Sequence, residues 1–448
     1  MNANDSTPTG REHSRRRMLL GTLGVAGAAT LGAATFSAPA AAGPSDAALR
    51  AGRAAHPAGT GRSATAKVGF TLPAPTGVLP IGVTQVHLHQ SGRADPWVPS
   101  VPRELMISIW YPAQPDTGGQ RAPYCAPHLA DYYRTNPPAG LPAGGIDWTA
   151  LLTHAMPATE VLPRPGGYPV VLYSPGGGNS RALGTVLVEE LVSRGFVVVT
   201  VDHTHETAVA FPGGRLEVSE IPANPPDINA AKQLYMDSRV ADIRFVLDQL
   251  DVIAGGGNPD VDGAELPNGL GRALNPAAMG MFGHSAGGIT ASRAVRDDDR
   301  LVAGINMEGF FEFGENHPEL GEHDPFLLMG ARSDPNYPPL LGKPRTHRTD
   351  PLWKEFWAHC TDLRLDLNIP DGRHYTYTDV QSWLPQVTAA LGMTSDQVVS
   401  MIGTVDPERI IAAERAYITA FFEQTLCHRP QGLLTGPSPW FPQVRFIR

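Results

Sequence analysis

Cysteine is scarce: the 448 residues contain only Cys125, Cys360 and Cys427. A disulfide-stapled scaffold needs more thiols in an even number, so a hydrophobic core must carry this fold. A single bridge from Cys360 to Cys427 fits the count and leaves one thiol over. Long apolar runs are also lacking. One stretch, Met18–Phe36, approaches the about 20 residues that span a bilayer, and its many Gly and Ala make it weakly apolar. Positive charge is in deficit, with 35 Lys and Arg against 44 Asp and Glu. That balance argues against a nucleic-acid partner, which needs a basic face. Gly 48 and Pro 43 make about a fifth of the chain, below the roughly 25–30% of low-complexity sequences. What remains is a globular chain, 42% hydrophobic, with many ordered loops.

The first 42 residues read as an address. Arg15, Arg16 and Arg17 precede the Met18–Phe36 stretch, and Ala38-Pro39-Ala40-Ala41-Ala42 suits a signal-peptidase site. Paired arginines before a Gly-rich, weakly apolar segment are the mark of twin-arginine export. The expectation is a secreted protein, handled by that export machinery, whose mature form does not span a membrane. Such a substrate folds before export in a reducing compartment, in keeping with so few cysteines. Residues 43–67 carry few large apolar side chains and read as a disordered leader. Residues 68–427 are then expected to form one folded domain, and 428–448 a tail.

Within that domain a strand-then-helix rhythm predicts an α/β fold. Expected strands are Thr84–Leu88, Glu104–Tyr111, Val170–Tyr173, Phe196–Val201, Met279–Phe282, Leu301–Met307, Phe326–Met329 and Leu363–Ile369. Helical spacing marks Leu183–Leu191, Val240–Leu250 and a long helix after Asp406-Pro407. The alternation implies a mostly parallel sheet covered by helices on both faces. Two Pro- and Gly-rich segments, Pro112–Gly167 and Thr204–Asn229, are expected as insertions above the sheet's carboxyl edge.

Gly283-His284-Ser285-Ala286-Gly287 matches G-x-S-x-G. The pattern gains weight from its flanks, a strand before it and a helix-forming stretch after it, as a nucleophile elbow requires. Ser285 is the candidate nucleophile. An oxyanion hole needs two backbone N–H donors, expected from Ala286 and from Gly177 in the loop Ser174–Asn179. The base is expected late in the chain, at His374 in the loop after Leu363–Ile369. His359 is the competitor, set in a Trp- and Phe-rich helical stretch where packing explains it. For the acid, Glu308 and Asp334 each follow a strand beyond the nucleophile, and either would serve.

The stretches Tyr168–Gly176, Ser193–His203, Gly283–Gly288 and His374–Asp379 resemble the platelet-activating factor acetylhydrolase family, which includes secreted actinomycete lipases and esterases. The resemblance implies an α/β-hydrolase fold and carboxylic ester hydrolysis of a lipid or small-molecule ester without cofactor or metal. It also implies Glu308 as the acid, where the family usually has Asp.

Two other function classes compete. Asp202-His203-Thr204-His205-Glu206 and His87-Leu88-His89 offer ligands for a metal-dependent hydrolase. A non-catalytic binding protein on the same fold is the other. A base that works as neutral imidazole requires activity to rise with pH through its titration.

Overall fold

In a computed structural model of the protein, residues 67–115, 119–336 and 339–448 are described. The export signal expected at 1–42 and nearly all of the leader expected at 43–67 lie outside them. The apolar runs assemble into a ten-stranded sheet. Its first strands are β1 (Ile81–Ala94), β2 (Pro102–Pro112), β3 (Met156–Pro157), β4 (Tyr168–Ser174) and β5 (Val197–Asp202). A separate hairpin follows, β6 (Val209–Ala210) and β7 (Leu216–Glu217). Then come β8 (Leu274–His284), β9 (Leu301–Met307), β10 (Phe326–Ala331), β11 (Arg364–Ile369) and β12 (Arg445–Phe446).

The order across the sheet is β12-β11-β10-β9-β8-β4-β5-β2-β1-β3. From β5 to β11 all neighbours are parallel. β2 pairs antiparallel with β5 and with β1, and β12 does so with β11. Every residue of β4 and β5 is buried, which explains their unbroken Val and Leu runs: strands covered on both faces do not alternate.

Helices cover the sheet as α1 (Pro127–Tyr133), α2 (Thr185–Ser193), α3 (Ile228–Ala254), α4 (Leu270–Ala273), α5 (Ala286–Asp297), α6 (Pro351–His359), α7 (Val380–Val387), α8 (Ser395–Ile402) and α9 (Pro407–Leu426). Val170 and Leu172 face a core shared with α3, α5 and α6. Val171 and Tyr173 point the other way, into a core shared with α2 and α9. This is the α/β-hydrolase fold, with helices on both faces. The first insertion supplies Trp148, which packs edge-on to Trp383 of α7 at 5.8 Å.

Two expectations change. Residues 428–448 are more than a tail, since β12 extends the sheet edge beside β11. The Cys360–Cys427 bridge is not formed, and all three cysteines are free. Cys360 is buried in the core beside α3 and α5, while Cys427 packs against the core on the opposite face, so the sheet separates them. Among the described residues no helix is long and apolar enough to cross a membrane.

Candidate active site

β8 ends at His284 and α5 begins at Ala286, leaving Ser285 alone in the turn with φ 55° and ψ −120°. A non-glycine residue at positive φ costs on the order of 1–3 kcal/mol and persists only where the surroundings enforce it. Here the Ser285 amide donates to Met307 O at 2.8 Å, and its carbonyl accepts from the Gly288 and Ile289 amides at 2.9 and 3.2 Å. The flanking glycines are forced by close approach. A Cβ on Gly283 would lie 2.2 Å from Gly287 O, and one on Gly287 only 1.9 Å from Ser174 O. The strained turn projects Ser285 at the head of the α5 dipole.

The loop after β4 lies against this turn. A Cβ on Gly176 would stand 3.3 Å from that of Ser285, and one on Gly177 4.0 Å from that of Ala286. The two expected oxyanion donors, Gly177 and Ala286, are therefore neighbours.

His374 opens a 3-10 turn, His374–Tyr377, after β11. The loop is fixed at several points. His284 donates from Nε2 to His374 O at 2.7 Å, and the two rings lie 4.6 Å apart. Burial, together with the neighbouring His374, keeps His284 well below the usual imidazole range, hence neutral. Tyr377 donates to Gly330 O at 2.8 Å. Asp379 accepts the Thr185 and Val186 amides at the start of α2 and the Tyr124 hydroxyl at 2.9 Å. It thereby ties this loop to the first insertion.

His374 Nδ1 lies 3.5 Å from Glu308 Oε2, longer than a tight hydrogen bond. Glu308 follows β9 at φ 58° and is buried, with Oε1 accepting the Ala331 amide. Burial pushes its carboxyl upward, but His374, the Arg345 guanidinium and that amide outweigh it and hold the group below its ordinary value. Arg345 Nε is 3.9 Å from Glu308 Oε2, and its guanidinium stacks 4.1 Å over Phe310. The Phe310 ring in turn lies 5.0 Å from that of His374.

The alternatives separate spatially. Asp334 is exposed, and its carboxylate accepts the Asn336 amide at 2.6 Å within its own loop. His359 sits at the end of α6, but it is exposed and bonds to Glu355 O, so packing is not its role. Of the apolar residues flanking Glu308, Met307 and Phe311 are core, whereas Phe310 borders the site.

Two of the histidines offered for metal binding, His203 and His205, are committed elsewhere. His203 is buried with Nδ1 2.8 Å from Asp242 and Nε2 2.9 Å from Ser174 Oγ. His205 Nδ1 lies 3.0 Å from Asp95, and Asp202 pairs with Arg181. Asp242 and Asp95 also hold Arg103, whose burial is complete. Among the described residues no group of three or more His, Cys, Asp or Glu is arranged to hold a metal ion. Sequence reasoning missed Arg103, Arg239 and Asp242. The last two share the apolar face of α3 with Met236 and Ile243, and a charge on an apolar face was the available signal.

The family described as platelet-activating factor acetylhydrolase, isoform II, matches residues 103–327, which include Ser285 and Glu308 and end before His374. A probable 1-alkyl-2-acetylglycerophosphocholine esterase of Arthroderma benhamiae is 28% identical over 293 residues, covering 63% of this chain. The chain spans 66% of that relative's length, just under two thirds. A solved ferulic acid esterase from Streptomyces cinnamoneus is similar with a TM-score of 0.69 and 34% identity, over 85% of this chain and 100% of that one. The chain thus belongs to the platelet-activating factor acetylhydrolase, isoform II, family.

Proposed function

We propose that the protein is a secreted serine esterase acting through a Ser285–His374–Glu308 triad. The observation that carries this is a strained Ser285 at the strand–helix turn, next in sequence to the His284 that bonds to His374 O, with His374 itself beside a buried, ionised Glu308. His374 removes the Ser285 proton as Ser285 Oγ attacks the ester carbonyl. The Gly177 and Ala286 amides hold the tetrahedral oxyanion, and Glu308 stabilises the imidazolium. Collapse breaks the ester C–O bond, His374 protonates the leaving alcohol, and an acyl-serine remains. Water, deprotonated by His374, repeats the sequence and releases the acid.

The esters named for the relatives, an acetylated alkyl glycerophosphocholine and ferulic acid esters, differ in both acyl and alcohol parts. We assign this chain the shared chemistry, a carboxylic ester of a lipid or small molecule. Export by the twin-arginine route is part of the proposal and rests on Arg15–Arg17 and the stretch after them. Fluorophosphonate labelling tests the nucleophile: intact mass should rise by one adduct, located on Ser285, and an unlabelled Ser285 would contradict it.

A further inference from the structure

We propose that Arg239 of α3 is a positioning residue for the oxyanion hole, gripping the carbonyl side of the loop whose amides bind the oxyanion. The inference rests on the Ser285 esterase reading and extends it to a residue outside the triad. Arg239 is buried, and its guanidinium is spread over this loop. Nη1 donates to Pro175 O at 2.7 Å and to Ser174 Oγ at 3.3 Å, while Nη2 reaches Gly176 O at 3.4 Å. Glu206 accepts from Nε at 2.8 Å and fixes the fork from behind.

Peptide geometry gives this grip its consequence. In a planar trans peptide, C=O and N–H point in opposite directions. Holding Pro175 O and Gly176 O toward Arg239 turns the Gly176 and Gly177 N–H groups away from it. Two further contacts support the arrangement. The Asn179 amide donates to Gly176 O at 3.2 Å. The Tyr235 hydroxyl would stand 2.8 Å from a Cβ on Gly177, and the Tyr235 ring lies 4.9 Å from the Arg239 guanidinium. Ser174 Oγ is also 2.9 Å from His203 Nε2. Residues that look like metal ligands in the sequence, His203 and Glu206, thereby serve to brace the loop.

A planar fork bonds several carbonyls together, which a lysine ammonium on a flexible stem does not reproduce. Arg239→Lys keeps the charge facing Glu206 and removes the fork. Arg239→Met combined with Glu206→Gln removes both charges, so neither is left buried alone. Hydrolysis of p-nitrophenyl acetate and inhibition by a trifluoromethyl ketone, whose serine adduct carries an oxyanion, are measured beside melting temperature. The expected result in both variants is a kcat lower by roughly ten- to a hundredfold, a somewhat smaller effect than outright loss of one oxyanion donor. Ketone affinity should fall in step, with KM unchanged and the acid limb of the pH profile unmoved. Wild-type kcat and ketone affinity in folded Arg239→Lys would overturn the inference and leave a plain structural ion pair. Ser285→Ala in the same assay separates the two levels: if it stays active, the esterase reading itself falls.

Discussion

Glu308 reaches His374 from a backbone in the left-handed region, φ 58°, with Oε2 3.5 Å from the imidazole Nδ1. The turn is anchored by the Glu308 amide on Met329 O at 2.9 Å, so the carboxylate is aimed by β10 as well as by its own strand. Arg345, entirely buried, supplies a second positive neighbour.

Exchanging the two acid candidates follows directly. Glu308→Gln removes the charge that stabilises imidazolium, and kcat on a p-nitrophenyl ester should fall roughly 10³- to 10⁴-fold. Asp334→Asn, at an exposed loop position, should leave kcat within about twofold of wild type. The reverse pattern would move the acid to Asp334.

Gly287 is predicted to tolerate no side chain. Its Cβ position meets Ser174 O at 1.9 Å and Pro175 O at 2.8 Å, both backbone atoms of β4 and the loop after it. Gly287→Ala should cost at least the about 1–3 kcal/mol of core overpacking and depress activity with it. Gly92→Ala, where nothing lies within 4 Å, should shift stability by less than about 0.5 kcal/mol. Thermal melts of the two variants compare them; equal melting temperatures would contradict the packing argument.

The elbow was legible because it is local: a strand, Gly283–Gly287 and a helix are consecutive, and Leu301–Met307 appears with the bounds its apolar run implies. The loop glycines were legible for the same reason. β1 runs past Thr84–Leu88 because His89–Arg93 is largely solvent-facing and carries no apolar alternation; pairing with β2 extends it. β8 likewise begins before Met279, at Leu274, where pairing with β4 shifts register. β12 is two residues long and exists only through β11. Both Glu308 and Asp334 follow strands, and only the fold shows that Glu308 lies beside His374 while Asp334 is exposed. Arg239 and Glu206 lie 33 residues apart, and no local pattern joins them.

Glu322 makes stability depend on pH. It is buried, neither carboxylate oxygen has a hydrogen-bond partner among the described residues, and burial pushes its carboxyl up to about 9 from 4.5. The folded protein keeps this proton where the unfolded chain has released it, so rising pH between those values favours unfolding. Glu322→Gln mimics the protonated state. Its unfolding free energy relative to wild type, read from denaturant melts, should climb from about pH 5 to about pH 9, by at most about 1.4 kcal/mol per pH unit. A constant difference across that range would contradict the assignment.

The most direct test of the account is hydrolysis of p-nitrophenyl esters, from acetyl to palmitoyl, by the protein and by Ser285→Ala. Turnover by the wild type, reduced to the uncatalysed background in the variant, is the predicted result, and the preferred chain length would then place the enzyme between acetylesterase and lipase. Equal hydrolysis by both proteins, or none by either on any ester, would contradict a serine esterase centred on Ser285.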